Sequence, residues 1–111
     1  MSSAQKPRAY TENEVRNKLL DEIWMLIDYW HNAERSDRER MEGLAFSILS
    51  ALDGASLGLP KFIVAPDPHP HDKGWNLSEG KNYFPENYVL PIHCDIAGGL
   101  HELFYGRKPK K

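Results

Sequence analysis

Two stretches of the chain combine the start signal of a helix with a helical run of apolar residues, and they constrain the fold most. Thr11 with Glu14, and Ser36 with Glu39, have the spacing of a capping box. In that motif a hydroxyl and a carboxylate each accept a backbone N–H at the helix start. Gly54 stands where the second helix should stop. We therefore predict two long helices joined by a short linker, which form an antiparallel hairpin.

The apolar stripe of the first predicted helix is broad. Apolar residues recur there at helical spacing, and three more widen the stripe: Val15, Leu19, Ile23, Leu26, Ile27 and Trp30, then Leu20, Trp24 and Met25. A helix with one side exposed to solvent has a narrower apolar stripe, so we predict that this helix packs against neighbours on two sides. We expect the first helix to pack against the second helix on one side and against a partner subunit on the other. A homodimer through the first helix is therefore a hypothesis. The stripe of the second helix is Met41, Leu44, Ala45, Ile48, Leu49 and Leu52.

The second half of the chain predicts β-structure and a loop. The run "KFIVA" at 61–65 is short, apolar and β-branched, which is typical of a buried strand. The run "YVLPI" at 88–92 predicts a second short strand, confined to a sheet edge by its proline. Residues 66–87 carry four prolines and little periodicity, so we predict a long ordered loop. Asp95 is placed to cap a last helix that Gly106 would end.

These elements predict an α+β fold. It consists of the antiparallel helical hairpin, a small two-stranded element, the long ordered loop and a short C-terminal helix packed on the hairpin. We assign residues 1–10 to a flexible tail, 11–106 to a single α+β domain and 107–111 to a basic tail.

Charge is distributed unevenly between the predicted domain and its ends. Six of the fourteen basic residues lie in the two tails, namely Lys6, Arg8, Arg107, Lys108, Lys110 and Lys111. Residues 9–106 thus hold eight bases against sixteen acids, a net charge of −8. An acidic body repels phosphate backbones, which argues against binding of nucleic acid by this surface and favours a basic protein partner. Solubility alone is the alternative explanation.

Two other features bear on location. The single cysteine, Cys94, cannot form an internal disulfide, and the N-terminus lacks the apolar stretch of a signal peptide. No apolar run reaches the roughly 18 residues of a membrane span. We expect a cytoplasmic protein without a membrane segment.

The stretch "PDPHPHDK" at 66–73 is a candidate metal site. His69, His71 and Asp72, together with His93 or Cys94, are ligand types that zinc accepts. The spacing matches neither paired cysteines nor two histidines on one helix. The alternative is a solvated loop in which aspartate and proline set the turns. A small metal-binding protein or metal-dependent hydrolase that uses His69, His71, Asp72 and His93 is thus one functional hypothesis.

Aromatic residues cluster within and beside the same loop. They are Trp75, Tyr83, Phe84 and Tyr88. Some must anchor the loop, and any that stay exposed would form a contact surface, since aromatic residues dominate interface hot spots. No nucleophile elbow, P-loop, dinucleotide loop or zinc-protease motif is present in the sequence. We predict partner binding by these four residues and no catalytic residue.

Three segments together resemble a group of small bacterial and phage-borne proteins without a catalytic assignment. The segments are "RERMEGLAFSILSALDG", "PHPHDKGW" followed by "GKNYFPE", and "DIAGGLHELFY", within about residues 31–105. Members share an RERxEGxAF helix start, a PxPHP loop and a DIAGxLHExFY end. Here "PHPHD" carries a second histidine where the group's pattern has a carboxylate, which weakens the metal hypothesis. The resemblance implies an accessory protein of phage or prophage origin.

Charge, aromatic residues and resemblance lead to one functional prediction. We predict a small non-enzymatic interaction protein that binds a basic protein partner through an acidic surface and loop aromatics. A purely structural subunit that forms a tight oligomer is a further alternative.

Overall fold

The computed structural model describes residues 6–86 and 94–110, and all regular structure in these ranges is helical. These ranges contain four α-helices: α1 (Glu12–His31), α2 (Asp37–Leu52), α3 (Asp72–Ser78) and α4 (Leu100–Phe104). A 3₁₀ turn, Tyr105–Arg107, follows α4 directly. The contacts divide the described chain into two compact units, residues 6–61 with 94–110 and residues 62–86. We describe each unit by itself.

The first unit begins with the predicted hairpin, and both predicted capping boxes are present. Thr11 Oγ1 accepts the Glu14 N–H at 3.2 Å, and Glu14 Oε1 accepts the Thr11 N–H at 2.9 Å. The Ser36–Glu39 pair makes the same reciprocal bonds at the start of α2. The structure therefore confirms both helix starts, and each start leaves fewer backbone N–H groups without a partner.

The end of α2 also follows the prediction. Gly54 adopts φ +94°, a left-handed conformation that glycine takes without steric cost. Its N–H donates to Ala51 O at 3.2 Å, and the Ala55 N–H donates to Ser50 O at 2.9 Å. These two bonds are the Schellman pattern, which satisfies carbonyls that the helix leaves open.

Trp30 joins the two long helices. Its indole Nε1 donates to Ser47 Oγ at 3.0 Å. Its ring lies so close to Gly43 that a Cβ there would come within 2.5 Å of the ring. The large Trp30 side chain of α1 thus fits the space that Gly43 leaves on α2, and the two helices pack closely at this point.

The C-terminal segment covers another side of α1. The Trp24 ring stacks on Phe104, with centroids 4.4 Å apart and planes 15° apart. Trp24 Nε1 also donates to Phe104 O at 2.8 Å. Arg16 donates to Ile96 O and Asp95 O at 2.9 and 3.1 Å. The broad stripe of α1 is thus covered on two sides within one chain, so its width does not require a partner subunit.

The core of the first unit is small. Five residues of the described chain are buried: Leu19, Leu20, Trp24, Ala51 and Leu59. All belong to residues 6–61, and none is buried in residues 62–86. The stability of the first unit therefore depends on α1 and its immediate neighbours.

The α+β prediction is wrong, because residues 6–86 and 94–110 contain no strand. Residues 61–65 are irregular, and Ile63 and Val64 are 71% and 76% exposed rather than buried. A short β-branched run becomes a strand only when a second strand pairs with its backbone. The proposed partner, residues 88–92, lies outside the described residues.

The loop and the last helix also differ from expectation. The predicted loop 66–87 contains α3 in its described part. The last helix begins at Leu100 rather than after Asp95, because Gly98 and Gly99 have φ values of +79° and +113°. Left-handed backbone cannot continue a right-handed helix. Asp95 instead accepts the Ala97 N–H at 3.0 Å in a turn.

Candidate functional site

An open cleft lies at the C-terminal end of α1. Its volume is about 520 Å³, and five residues line it: Met25, Asp28, Tyr29, Asn32 and Ala33. The Met25 and Tyr29 side chains are 59% and 66% exposed. They lie one turn apart on the helix, so their apolar surfaces are neighbours. The cleft therefore offers apolar walls beside one carboxylate.

The aromatic wall of this cleft is held in place by the hairpin. The Tyr29 ring meets the Trp30 ring edge to face, with centroids 5.2 Å apart and planes 86° apart. Trp30 is itself fixed by its bond to Ser47 and its contact with Gly43. A side chain that rests on an anchored neighbour loses less entropy when it binds a ligand.

Asp28 supplies the negative charge of the cleft. Its carboxylate takes part in none of the ion pairs between described residues. Its backbone oxygen accepts the Asn32 N–H at 3.2 Å and the Asn32 side-chain amide at 2.8 Å, at the helix end. The C-terminal end of a helix carries partial negative charge, which adds to the charge of Asp28. The cleft is suited to a cation.

Other acids of α1 are neutralised by the bases near the chain ends. Arg8 makes two bonds to the Glu14 carboxylate, at 2.8 and 3.0 Å. Arg107 does the same to Asp21, at 2.9 and 2.7 Å. The net charge of −8 was counted without these two arginines, so the acidic potential along α1 is lower than the sequence suggested.

The histidine cluster forms a local turn. The His69 N–H donates to Asp72 Oδ2 at 3.2 Å, and the His71 N–H donates to His69 Nδ1 at 3.1 Å. The two imidazole centroids are 5.0 Å apart. Within the described residues, 6–86 and 94–110, no three His, Cys, Asp or Glu side chains lie close enough together to hold a metal ion. His93 lies outside the described residues, so the four-residue zinc site stays a prediction.

The described loop aromatics are exposed, and their own lysines lie against two of them. Trp75, Tyr83 and Phe84 are 57%, 43% and 72% exposed. Lys81 Nζ lies 5.2 Å from the Trp75 ring centroid, and Lys73 Nζ lies 5.3 Å from that of Tyr83. These rings thus have positive charge beside them, which does not favour a basic partner. Tyr88, the fourth predicted contact, lies outside the described residues.

The cleft is absent from the sequence-based predictions, because they assign Met25 to the apolar stripe. At about 100° per residue, Met25 and Tyr29 fall on the same side of α1 as Lys18, away from Ile23. A helical projection would have separated the two groups. The projection does not show the contact of Tyr29 with Trp30. That contact depends on the Trp30 ring orientation, which α2 holds in place.

Comparison of the chain with protein-family models, curated proteins and solved structures gives no match. No helix in the described part of the chain has the length and apolar character needed to cross a bilayer.

Proposed function

We propose that this chain is a non-enzymatic interaction protein that takes a lysine or arginine side chain of a partner protein into the cleft on α1. The observation that carries the proposal is the position of Asp28, which lines the cleft with Met25 and Tyr29 and whose carboxylate has no ion-pair partner among the described residues. The resemblance to phage-borne accessory proteins agrees with such a role, and the phage or prophage origin stays a prediction.

The cleft provides a contact for each part of a basic side chain. The aliphatic stem would lie on Met25, since long charged side chains cover apolar surface with their methylene groups. The cationic head would meet the Asp28 carboxylate and the face of the Tyr29 ring, which attracts cations. The negative end of the α1 dipole favours the same charge.

The loop aromatics belong to the second unit and have a separate role. Because Lys73 and Lys81 lie beside their rings, we propose that Trp75, Tyr83 and Phe84 contribute apolar area rather than attraction for a basic group. Recognition of the cation is thus assigned to α1.

The cytoplasmic location expected from the sequence stays a prediction.

Peptide binding tests the proposal. The probe is a short fluorescein-labelled peptide of alternating lysine and serine, and its glutamate counterpart is the reference peptide. We expect fluorescence anisotropy to show binding of the lysine peptide that weakens with salt, because the contact is electrostatic and partly exposed. We expect Asp28→Asn and Tyr29→Ala each to raise the Kd by roughly three- to tenfold, as for a charge-assisted hydrogen bond or cation–π contact.

Glu34→Gln is the matched control. It removes one negative charge from an exposed residue just past the cleft, without altering a cleft residue. The proposal predicts that this variant binds the lysine peptide like the unaltered chain. Equal weakening by Asp28→Asn and Glu34→Gln would show general charge attraction and overturn the assignment to the cleft. Absence of binding at low salt would overturn it as well.

A further inference from the structure

The side of α2 that faces away from α1 is apolar and uncovered. Met41, Phe46 and Leu49 are 70%, 71% and 61% exposed, and Ala45 between them is also exposed. The opposite side of α2 packs inward through Gly43 and Ser47 against Trp30. We call the four exposed residues the outer face of α2. Contiguous apolar surface of this kind marks an interaction site.

We propose that two copies of this chain pair through the outer face of α2, with the two α2 helices antiparallel. This homodimer uses a different surface from the cleft on α1. It also differs from the sequence-based expectation of a dimer through the first helix, whose apolar stripe is covered within one chain.

The order of residues along α2 supports pairing with a second copy. Met41 and Leu49 each lie four residues from Ala45, or about 6 Å along the helix axis at 1.5 Å per residue. In an antiparallel pair centred on Ala45, Met41 of each copy therefore meets Leu49 of the other. An apolar stripe with this symmetry about its midpoint is complementary to itself, as a two-fold interface requires.

Charges at the two ends of α2 select the antiparallel direction. Arg38 lies seven residues before Ala45 and Asp53 eight residues after it, so the same pairing places each arginine near the aspartate of the other copy. A parallel pair would instead bring Arg38 against Arg38, which is repulsive. The Arg38 side chain is 88% exposed, and within the described residues its one bond is from Nε to Glu42 Oε2, at 3.0 Å. Its terminal nitrogens are therefore placed to reach a partner.

The centre of the face also suits close approach of two helices. Ala45 has a short side chain, so the helix axes can come close at the crossing point. Phe46 is the next residue, at about 100° around the helix. In the antiparallel pair the two Phe46 rings lie along the same edge of the interface, near its centre, where aromatic rings stack well.

The mass of the unaltered full chain in solution is the primary test. One helix face from each copy buries less than the roughly 1,600 Å² of a standard interface, so we expect a reversible dimer. Sedimentation equilibrium over a series of concentrations should show the mass rising from one chain to two. A single-chain mass at every concentration overturns the proposal, including the case in which a different protein covers the face.

Leu49→Asp tests the face itself. Because it buries a charge in the apolar contact, we expect the dimer Kd to rise more than tenfold. Leu77→Asp is the matched control: it introduces the same charge at a leucine of similar exposure on α3. We expect this control to dimerise normally, with both variants keeping their helical circular dichroism. Equal dissociation in both variants would place the interface elsewhere and overturn the proposal.

A charge exchange tests the antiparallel direction. Arg38→Asp and Asp53→Arg should each weaken the dimer several-fold, and the double variant should recover most of the affinity. Arg38→Asp loses the bond to Glu42 but places an acid near the helix start, and Asp53→Arg places a base near its end. Circular dichroism of each variant checks that loss of folding does not mimic the effect. Additive weakening in the double variant would overturn the antiparallel pairing.

Discussion

At the scale of single residues, Gly43 leaves the least room for a side chain among the glycines of the helical hairpin. Glycine in a helix interior costs about 1 kcal/mol relative to alanine, so its presence inside α2 calls for a reason. The reason is the Trp30 ring, which lies 2.5 Å from where a Cβ would be. Trp30 cannot withdraw freely, because its Nε1 bonds to Ser47 Oγ.

We expect Gly43→Ala to destabilise the protein by about 1–3 kcal/mol, the usual range for excess volume in a packed site, despite the better helix propensity of alanine. Urea denaturation followed by circular dichroism measures this. Gly58→Ala is the control, since nothing lies within 4 Å of the added Cβ. A Gly43→Ala variant as stable as this control would contradict the packing described for Trp30.

At the scale of elements, the start of α1 shows how a tail residue strengthens a local motif. The Arg8 guanidinium, followed by the Thr11 backbone N–H, lowers the pKa of Glu14 from 4.5 to about 2. At α2, the Ser36 backbone N–H and then its hydroxyl lower the pKa of Glu39. Both carboxylates are thus more stable as anions in the folded chain, where they accept backbone N–H groups.

The lowered pKa of Glu14 predicts a defined pH dependence. A carboxylate whose pKa is depressed by folding contributes stability above its unfolded value of 4.5, and this contribution is lost as the pH falls towards about 2. We expect Glu14→Gln to be less stable than the unaltered chain at neutral pH, with the difference vanishing near pH 2. Thermal unfolding across this pH range measures it. Glu34→Gln is the control, and an equal loss at neutral pH in that variant would contradict the assignment to Arg8 and Thr11.

At the scale of the first unit, the C-terminal segment completes the core. Phe104 stacks on Trp24, which is one of the five buried residues, and Arg107 pairs with Asp21 on the same helix. These contacts join residues more than 75 positions apart in the chain. A core this small depends on each of its long-range contacts.

We expect Phe104→Ala to destabilise the first unit by about 3 kcal/mol, the low end for loss of an aromatic ring, because Phe104 is only half-buried. Trp24 fluorescence should shift to longer wavelength as its ring becomes exposed to water. Leu103→Ala, in the same short helix but 44% exposed, is the control and should cost less than about 1 kcal/mol. A loss no larger than that of the control would show that the segment is not part of the core.

Prediction from sequence succeeded where the interactions are local. The capping boxes of α1 and α2 and the Gly54 stop each involve residues within about five positions, so their spacing in the sequence almost fixes their geometry. For Trp75 and Phe84 the sequence left two alternatives open, burial as a loop anchor or exposure as a contact surface. Both rings are exposed. Which alternative holds depends on the residues packed around each ring, and these cannot be read from sequence spacing.

By itself, the sequence determined where the two long helices start and where the second one stops, since those signals act over a single turn. Only the tertiary structure decided that residues 61–65 are not a strand, because a strand needs a distant partner for its backbone. It also decided that the C-terminal segment covers Trp24 on α1 and that the outer face of α2 is exposed. The α1 cleft depends on the same packing, through the contact of Tyr29 with an anchored Trp30.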